Sequence, residues 1–363
     1  MRVLIISANP FGRDGISNVV RNLFYAMDKR ELHIDLVTIN QPEDRFCQAI
    51  EEHGGKVYVL QRELKHPLRY MLELKALIKN GAYDLVHAHG SSATLAIEMT
   101  AAWLAGCKVR IAHGHSTSCK YMGVHRLLTP LFHLLCTHRL TCGAAAGKWL
   151  YGKKPFTVVN NGIDTAQFAF AEEARAQIRS QYCVADEEKL IGHVGFFSEG
   201  KNQSFIVEMM RHLNPAYKLL LIGEGRLRTT VEKKVSDLGL EERVIFAGVT
   251  DRVPDFLSAC DLIVMPSLYE GLPLSLIEQQ ASGLQCIISD SITQEVDKTG
   301  NIVFLTLSEG AAYWAEAVRQ LALPESREAL SAQAVEKIKA CGYDIYTEAE
   351  KLKSYYTRAV GGR

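Results

Sequence analysis

The sequence predicts an α/β protein with two parallel sheets covered by helices, and three observations support this fold class. Short β-branched and aliphatic runs alternate along the chain with longer segments of helical period. Most of these runs are apolar on both faces, which is typical of buried parallel strands. The alternating series also ends and begins again about halfway along the chain, so we expect two domains.

The first series begins with a strand-like run at residues 3–6 and a helix whose apolar residues follow helical spacing from Ile16 onward. Its other strand-like runs are residues 33–39, 56–60, 85–88, 109–112, 139–142 and 156–159. A turn-rich segment at residues 160–164 leads to the second series, whose runs are residues 190–194, 218–222, 244–247, 262–265 and 286–289. We therefore predict domains over residues 1–165 and 166–343.

Composition excludes several classes of protein. Lys plus Arg and Asp plus Glu both number 41, so no global positive field exists to attract nucleic acid. The nine cysteines are odd in number and none lies at C-x-x-C spacing, which argues against a disulfide framework or a zinc ribbon. Because no apolar run is long enough for a signal peptide or a membrane span, we expect a cytoplasmic protein.

Glycines and polar side chains follow the strand-like runs of both halves. Ligands of parallel α/β sheets bind beyond the carboxyl ends of the strands, so we expect a site there, in a cleft between the domains. The candidates in the first half are Gly12, Gly15, His87, His89, His113 and His115. Those in the second half are residues 195–201, 223–225, 267–271 and 289–290.

The segment YEGLPLSLIE, residues 269–278, carries the strongest signal. Gly271 lets backbone approach a ligand, and Pro273 suits the first position of a helix, whose N-terminus attracts a diphosphate. Glu270 at the helix mouth and Glu278 about a turn and a half inside are candidates to accept hydrogen bonds from sugar hydroxyls. The alternative is that Glu270 caps the helix and Glu278 is a solvated charge.

Three further positions are candidates with open alternatives. Lys201 could reach a phosphate as a point charge or be a surface lysine in a turn. The Gly15 segment could wrap a phosphate or form a tight turn. His113 and His115 lie on the same side of an extended strand end. Because no carboxylate stands near them, we favour a hydrogen-bonding or acid–base role over a metal site, and a structural role stays open.

Together these residues resemble the GT-B retaining glycosyltransferases of family 4, group 1, especially the bacterial exopolysaccharide and capsule branch. The resemblance covers nearly the whole chain and rests on the Gly15 loop, residues 111–115, 158–164, 201–202 and 223–225, and the Glu270/Glu278 pair. It implies two Rossmann-like domains that face each other across a cleft. The C-terminal domain would bind the nucleotide sugar, and a last helix at residues 344–360 would pack back on the N-terminal domain.

The resemblance also implies an activity. The enzyme would move a sugar from a nucleotide sugar, by default a UDP-sugar, to a hydroxyl of a glycan or lipid-linked glycan in surface polysaccharide synthesis. The anomeric configuration would be retained, and neither a metal nor a cofactor would be required. Two alternatives remain open: a sugar-nucleotide 2-epimerase, and a non-catalytic sugar-nucleotide-binding subunit of a polysaccharide complex.

The resemblance implies a role for each candidate residue. Glu278 would hold the ribose, Glu270 would orient the sugar, and Lys201 would neutralise the diphosphate. The implied catalytic residues are Glu270, His113, Lys201 and, as a reserve for His113, His115. The implied donor-binding residues are Gly15, Gly195, Phe196, Lys201, Gly223, Val249, Val253, Glu270, Gly271, Leu272, Pro273 and Glu278.

One position departs from the family pattern. The family usually places an arginine after the glycine that corresponds to Gly195, and here that residue is Phe196. Loss of one charge-assisted contact to a developing anion costs about 3 kcal/mol, on the order of a hundredfold in rate, so we expect a slow or differently poised enzyme.

Residues 120–139 interleave basic and apolar side chains. Such a segment could lie against an anionic membrane surface that carries a lipid-linked acceptor. A core helix with charged ends is equally compatible with this pattern.

Overall fold

The computed structural model describes residues 1–12, 14–62 and 67–362. The chain divides into two compact units, one formed by Met1–Gly162 with Ile345–Arg363 and the other by Ile163–Asp344. Each unit contains one parallel sheet with helices packed on it, which confirms the predicted α/β class. Among the helices in the described ranges, none combines the length and apolar composition that crossing a bilayer requires.

The first unit has a seven-stranded sheet in the order β3-β2-β1-β4-β5-β6-β7. Its strands are β1 (Arg2–Ser7), β2 (His33–Thr38), β3 (Val57–Val59), β4 (Leu85–Gly90), β5 (Val109–Gly114), β6 (His138–Thr141) and β7 (Thr157–Val158). Its first six helices are α1 (Gly15–Ala26), α2 (Asp44–Glu52), α3 (Pro67–Gly81), α4 (Ala96–Leu104), α5 (Met122–Leu135) and α6 (Ala144–Tyr151).

The second unit has a six-stranded sheet in the order β10-β9-β8-β11-β12-β13. Its strands are β8 (Lys189–Val194), β9 (Tyr217–Ile222), β10 (Val244–Gly248), β11 (Leu262–Met265), β12 (Gln285–Ser289) and β13 (Ile302–Leu305). Its helices are α7 (Glu172–Gln181), α8 (Gln203–Met210), α9 (Arg228–Asp237), α10 (Val253–Ala259), α11 (Leu274–Ala281), α12 (Gly310–Gln320) and α13 (Arg327–Ala340).

The last helix, α14 (Ile345–Gly361), belongs to the first unit, where it packs against α1. Its buried Glu348 accepts a hydrogen bond from the backbone N–H of Asn160 at 2.9 Å and pairs with Lys351. Further along the helix, the fully buried Tyr356 reaches the central strands of the sheet. The chain therefore leaves this unit after Gly162 and returns to it at Ile345.

The structure corrects the predicted strands at two places. Strands β4 and β5 run on to Gly90 and Gly114, so His87, His89 and His113 lie within strands rather than after them. These imidazoles form hydrogen bonds with one another and can therefore be buried, so the strands continue through them instead of ending at the first polar residue. Strand β13 was not predicted, although its residues form an apolar run in the sequence; it lies at the sheet edge, with half-exposed residues.

Candidate functional site

Loops at the carboxyl edge of the second sheet are joined by backbone hydrogen bonds. The N–H of Gly195, just after β8, donates to the carbonyl of Ile222 at 3.0 Å, and the N–H of Phe197 donates to that of Glu224 at 2.9 Å. The loop after β11 joins them where the N–H of Leu268 donates to Gly200 at 2.8 Å. The loops that follow β8, β9 and β11, where the sequence predicted a site, are thus connected to one another.

Two glycines make this close approach possible. Gly223 has φ +135°, and a Cβ there would lie 2.2 Å from the carbonyl oxygen of Gly195. Gly225 has φ +157°, and its Cβ would lie 2.5 Å from backbone atoms of Phe197. Any side chain at either position would force the loops apart, so the Gly-Glu-Gly segment has a packing role whatever it binds.

Lys201 and Glu270, which come from separate loops, meet in an ion pair. Lys201 ends a 3₁₀ turn, Glu199–Lys201, and its Nζ lies 2.6 Å from Oε1 of Glu270. Both side chains are largely buried, with exposed fractions of 21% and 18%. Glu270 is therefore paired with the lysine, and the N-cap residue of α11, Pro273, forms no side-chain capping hydrogen bond. An anion that approached Lys201 would compete with Glu270 for it.

The start of α11 is open to solvent. Gly271 is exposed, and apart from its chain neighbours no described residue has an atom within 4 Å of the position of a Cβ there. Pro273 has extended backbone angles and immediately precedes the helix, so the prediction that it is the first helical residue was wrong by one position. Leu272 packs on the core beneath and anchors the loop.

Glu278 lies in the second turn of α11 and is half-buried. Among the described residues, none forms a hydrogen bond or an ion pair with its carboxyl group. Burial raises the pKa of this carboxyl to about 7. A solvated helical charge would not show this shift, so Glu278 is a desolvated carboxyl with no partner in the described part of the chain.

The remaining candidates of this unit differ in exposure. Phe196 has 61% of its surface exposed and Val249 has 49%, so neither side chain is part of the core. Val253, the first residue of α10, packs against the core instead. Gly195 leaves room for the stem of Lys201, whose Cδ would lie 3.3 Å from a Cβ at that glycine.

His193 is a residue that sequence reasoning missed. It is buried within β8, and its Nδ1 donates to the carbonyl of Val264 at 2.9 Å. Its Nε2 is buried without a hydrogen-bond partner in the described structure and lies 3.4 Å from the position of a Cβ at Gly195. Burial lowers the pKa of His193 to about 4, so the ring is neutral. A histidine in an otherwise apolar run just before Gly195 was the available signal.

The first unit contains a cluster of four histidines at the carboxyl end of its sheet. His87 and His89 lie on β4, His113 lies opposite His89 on β5, and His115 follows β5. The centroids of neighbouring rings in this cluster are between 4.1 and 5.3 Å apart. Nε2 of His87 is 3.2 Å from Nδ1 of His113, and Nδ1 of His89 is 2.9 Å from Nε2 of His115.

These histidines are neutral because burial disfavours their charged forms. Burial lowers the pKa of His87 to about 3 and that of His115 to about 4, and it lowers the pKa values of His89 and His113 well below the usual range. Nε2 of His113 and Nδ1 of His115 are buried without a partner among the described residues.

Three members of this cluster have the geometry of candidate metal ligands. One ring nitrogen from each of His87, His89 and His113 lies within 4.8 Å of the others. Within the described part of the chain, these residues could hold a metal ion together. In this structure, one ring nitrogen of each of these three histidines also forms a hydrogen bond to another ring of the cluster.

Asp14 caps the helix that begins at Gly15. Its Oδ1 accepts hydrogen bonds from the N–H groups of Ile16 at 2.9 Å and Ser17 at 3.2 Å, and the hydroxyl of Ser17 donates to the same carboxyl group. The carboxylate thus occupies the position that a phosphate would take at this helix N-terminus. The structure favours the turn over the phosphate loop at Gly15.

Two family models match the chain in succession. The model described as Glycosyltransferase Family 4 matches residues 13–167, and the model described as Glycosyl transferases group 1 matches residues 174–337. The match to the first model covers most of the first unit, and the match to the second covers most of the second unit.

Similar proteins agree with these matches. The putative glycosyltransferase EpsF of Bacillus subtilis is 34% identical, over 95% of this chain and 93% of EpsF. The UDP-Gal:alpha-D-GlcNAc-diphosphoundecaprenol alpha-1,3-galactosyltransferase of Escherichia coli is 30% identical, over 61% of this chain and 62% of that enzyme. Anabaena HepE in complex with UDP has the same fold, with a TM-score of 0.80 and 18% identity over 98% of this chain and all of HepE. This chain belongs to the group 1 glycosyltransferases of family 4, which have the GT-B fold of two Rossmann-like domains.

Proposed function

We propose that this chain is a retaining, metal-independent hexosyltransferase that uses a UDP-sugar. Its acceptor is a hydroxyl of a glycan or lipid-linked glycan in surface polysaccharide synthesis. The observation that carries the proposal is the largely buried Lys201–Glu270 pair beside α11, with Glu278 on that helix and without a partner among the described residues. The name of the Escherichia coli relative, which joins galactose from UDP-Gal to a lipid-linked sugar, supports this substrate class.

The reaction breaks the bond between the anomeric carbon and the diphosphate oxygen. A new bond forms from the acceptor oxygen to the same carbon on the same face, and the hydroxyl proton passes to the leaving diphosphate. Negative charge grows on the diphosphate, so a nearby cation and backbone donors lower the barrier most. Lys201 supplies that cation. When the diphosphate takes Lys201, Glu270 is released to orient the transferred sugar.

The other residues of the second unit complete this proposal. The Glu278 carboxylate accepts hydrogen bonds from the ribose hydroxyls, which gives its half-buried oxygens the partners they lack. The N–H groups of Gly271 and Leu272 are backbone donors at the start of α11, whereas Pro273 has no N–H and shapes the loop. The exposed Val249 lies along the base.

In the first unit, we propose that His113 contacts the sugar, with His115 as the reserve candidate. Both rings are neutral and carry a buried nitrogen without a partner in the described structure. A neutral imidazole can form a hydrogen bond with a sugar hydroxyl without adding charge. Because the Asp14 carboxylate already accepts hydrogen bonds from the N–H groups at the start of α1, we propose only a minor contribution of Gly15 to diphosphate binding.

The raised pKa of Glu278 makes donor binding dependent on pH. Only the ionised carboxylate can accept two hydroxyl protons, and half of this group is protonated near pH 7. We expect the affinity for UDP, measured by calorimetry, to rise about tenfold per unit as the pH approaches 7 from below and to level off above it. The Glu278→Gln chain should lack this component, which separates it from ionisation of UDP itself.

The same raised pKa makes the stability of the folded chain fall with rising pH, whereas the affinity for UDP rises. The folded chain binds this proton more tightly than the unfolded chain, so its contribution to stability is complete below the ordinary pKa of 4.5 and is lost as the pH rises through about 7. A wild-type affinity for UDP with the same pH dependence as that of the Glu278→Gln chain would contradict the assignment to ribose binding.

A product assay tests the proposed reaction. The chain is incubated with a panel of UDP-sugars and lipid-linked glycan acceptors, with and without EDTA, and the anomeric configuration of the product is read by NMR. We expect transfer with retention that EDTA does not reduce. Loss of transfer with EDTA would contradict metal independence and direct attention to His87, His89 and His113.

The same assay separates the alternatives. A new UDP-sugar epimer formed from the donor alone would identify a 2-epimerase. Saturable UDP binding without turnover on any acceptor would identify a non-catalytic binding subunit, an alternative that the exposed phenylalanine at position 196 keeps open. Slow release of UDP and free sugar from the donor alone supports a transferase.

One exposed face of α5 supports the proposed contact with a membrane. Val124, Leu127, Leu131 and Leu134 recur at helical spacing and are all exposed; Leu127 and Leu134 have 78% and 77% of their surface exposed. Lys120 and Arg126 are also exposed beside this face. We therefore propose that residues 120–139 place the chain on an anionic membrane that carries a lipid-linked acceptor.

Flotation with vesicles that contain anionic lipid tests this contact. The wild-type chain should float with the vesicles, and the Leu127→Asp/Leu134→Asp chain should remain in the soluble fraction because two charges interrupt the apolar face. Leu72→Asp is the control, since Leu72 is an exposed leucine on α3 of the same unit. Equal flotation of all three chains, or none, would contradict a role for α5.

A further inference from the structure

A buried line of hydrogen bonds joins the last helix of the chain to His113. Tyr356 on α14 is fully buried, and its hydroxyl lies 2.6 Å from Nδ1 of His87. Nε2 of His87 lies 3.2 Å from Nδ1 of His113. The three side chains, which belong to one unit, thus connect α14 through β4 to β5.

The direction of the first hydrogen bond follows from the groups that would otherwise be left unpaired. The Tyr356 hydroxyl has no other hydrogen-bond partner among the described residues. If it accepted a proton from His87, its own O–H would be buried without an acceptor, which is unfavourable. The hydroxyl therefore donates to Nδ1, and neutral His87 carries its proton on Nε2.

The second hydrogen bond determines which ring nitrogen of His113 carries the proton. Nε2–H of His87 donates to Nδ1 of His113, so the single proton of neutral His113 must lie on its Nε2. That Nε2 is buried and has no partner within the described structure. The Nε2–H group of His113 is thus a buried hydrogen-bond donor without an acceptor among the described residues.

We propose that Tyr356 and His87 are positioning residues that hold His113 in the Nε2–H form, so that His113 donates a hydrogen bond to an oxygen of the transferred sugar. The identity of the acceptor as a sugar oxygen rests on the proposed function, whereas the form of His113 does not. A donor sugar that lacks this oxygen would leave the N–H unpaired and would be used poorly.

Nitrogen NMR of the histidine-labelled chain tests the proposal, because long-range ¹⁵N–¹H correlations show which ring nitrogen carries the proton. The His113 signals are identified by their loss in the His113→Gln chain. We expect wild-type His113 to be protonated on Nε2. In the Tyr356→Phe chain, His87 loses its donor, and we expect a mixture of both forms at His87 and His113.

Activity gives a second readout. We expect Tyr356→Phe to lower kcat/KM for sugar transfer about tenfold while the affinity for UDP, which lacks the sugar, stays unchanged. Tyr355→Phe is the matched control, since Tyr355 is half-buried on the same helix and lies near His138 rather than the cluster. The control should leave both the His113 form and the kinetics as in the wild type.

The possible results separate this proposal from the proposed function. Protonation of wild-type His113 on Nδ1 would overturn the proposed role of Tyr356 and His87, and so would unchanged protonation of both histidines in the Tyr356→Phe chain. The wild-type measurement gives this test even if the variant fails to fold. If the protonated nitrogens of His87 and His113 change as expected but no chain transfers sugar, the positioning role of Tyr356 and His87 stands and the proposed function fails.

Discussion

Replacement of Lys201 by alanine is expected to lower kcat/KM for sugar transfer by about 10²- to 10³-fold. The lysine is the charged group placed to stabilise the departing diphosphate, and removal of one such donor in other enzymes has effects of this size. The effect is increased because Glu270 loses its partner at 2.6 Å and presents an uncompensated carboxylate to an anion. Steady-state kinetics with a UDP-sugar donor measure it.

The pairing allows a sharper form of this test. The Lys201→Ala/Glu270→Gln chain should bind UDP better than Lys201→Ala alone, because the repelling carboxylate is gone, although transfer remains slow. Lys233→Ala is the control, since Lys233 is an exposed lysine of the same unit that pairs with Asp237 on its own helix, α9. A Lys201→Ala chain with wild-type kcat/KM would contradict the role of the lysine.

Replacement of Phe196 by arginine is expected to raise kcat/KM by up to about a hundredfold, which corresponds to about 3 kcal/mol of transition-state stabilisation. The exposed ring follows Gly195 directly, at the edge where Lys201 lies, and contributes nothing to the core. The substitution therefore adds a cation near the diphosphate without a loss of packing.

Phe196→Ala separates the effect of the new charge from that of removing the ring. It should leave kcat/KM near the wild-type value, whereas Phe196→Arg raises it. If kcat/KM does not change in the arginine chain, position 196 has no part in diphosphate binding, and the departure from the family pattern is without consequence for catalysis.

The strands of both sheets could be predicted from the sequence because buried parallel strands need apolar residues on both faces. There are exceptions. The edge strand Ile302–Leu305 pairs with β12 and was missed although its four residues are apolar in the sequence. Strands β4 and β5 continue through histidines that satisfy one another, a pairing that depends on the register of His89 with His113.

The site could be predicted in part. Lys201, Glu270 and Glu278 were each identified from local sequence, but the ion pair between the first two depends on loops about 70 residues apart that meet only in the folded sheet. The raised pKa of Glu278 likewise depends on burial rather than on neighbours in sequence. The cap at Asp14 was readable in the sequence, because aspartate before a helical pattern is a common N-cap.

The central claim is that Lys201 and Glu278 bind a nucleoside diphosphate at the carboxyl edge of the second sheet. Titration calorimetry of the wild-type, Lys201→Ala, Glu278→Ala and Lys233→Ala chains with UDP, GDP and ADP tests it most directly. We expect the wild type and Lys233→Ala to bind one equivalent of a preferred nucleotide, and each of the other two to bind it at least tenfold more weakly. Equal affinity in all four chains, or no binding by the wild type, would contradict the claim.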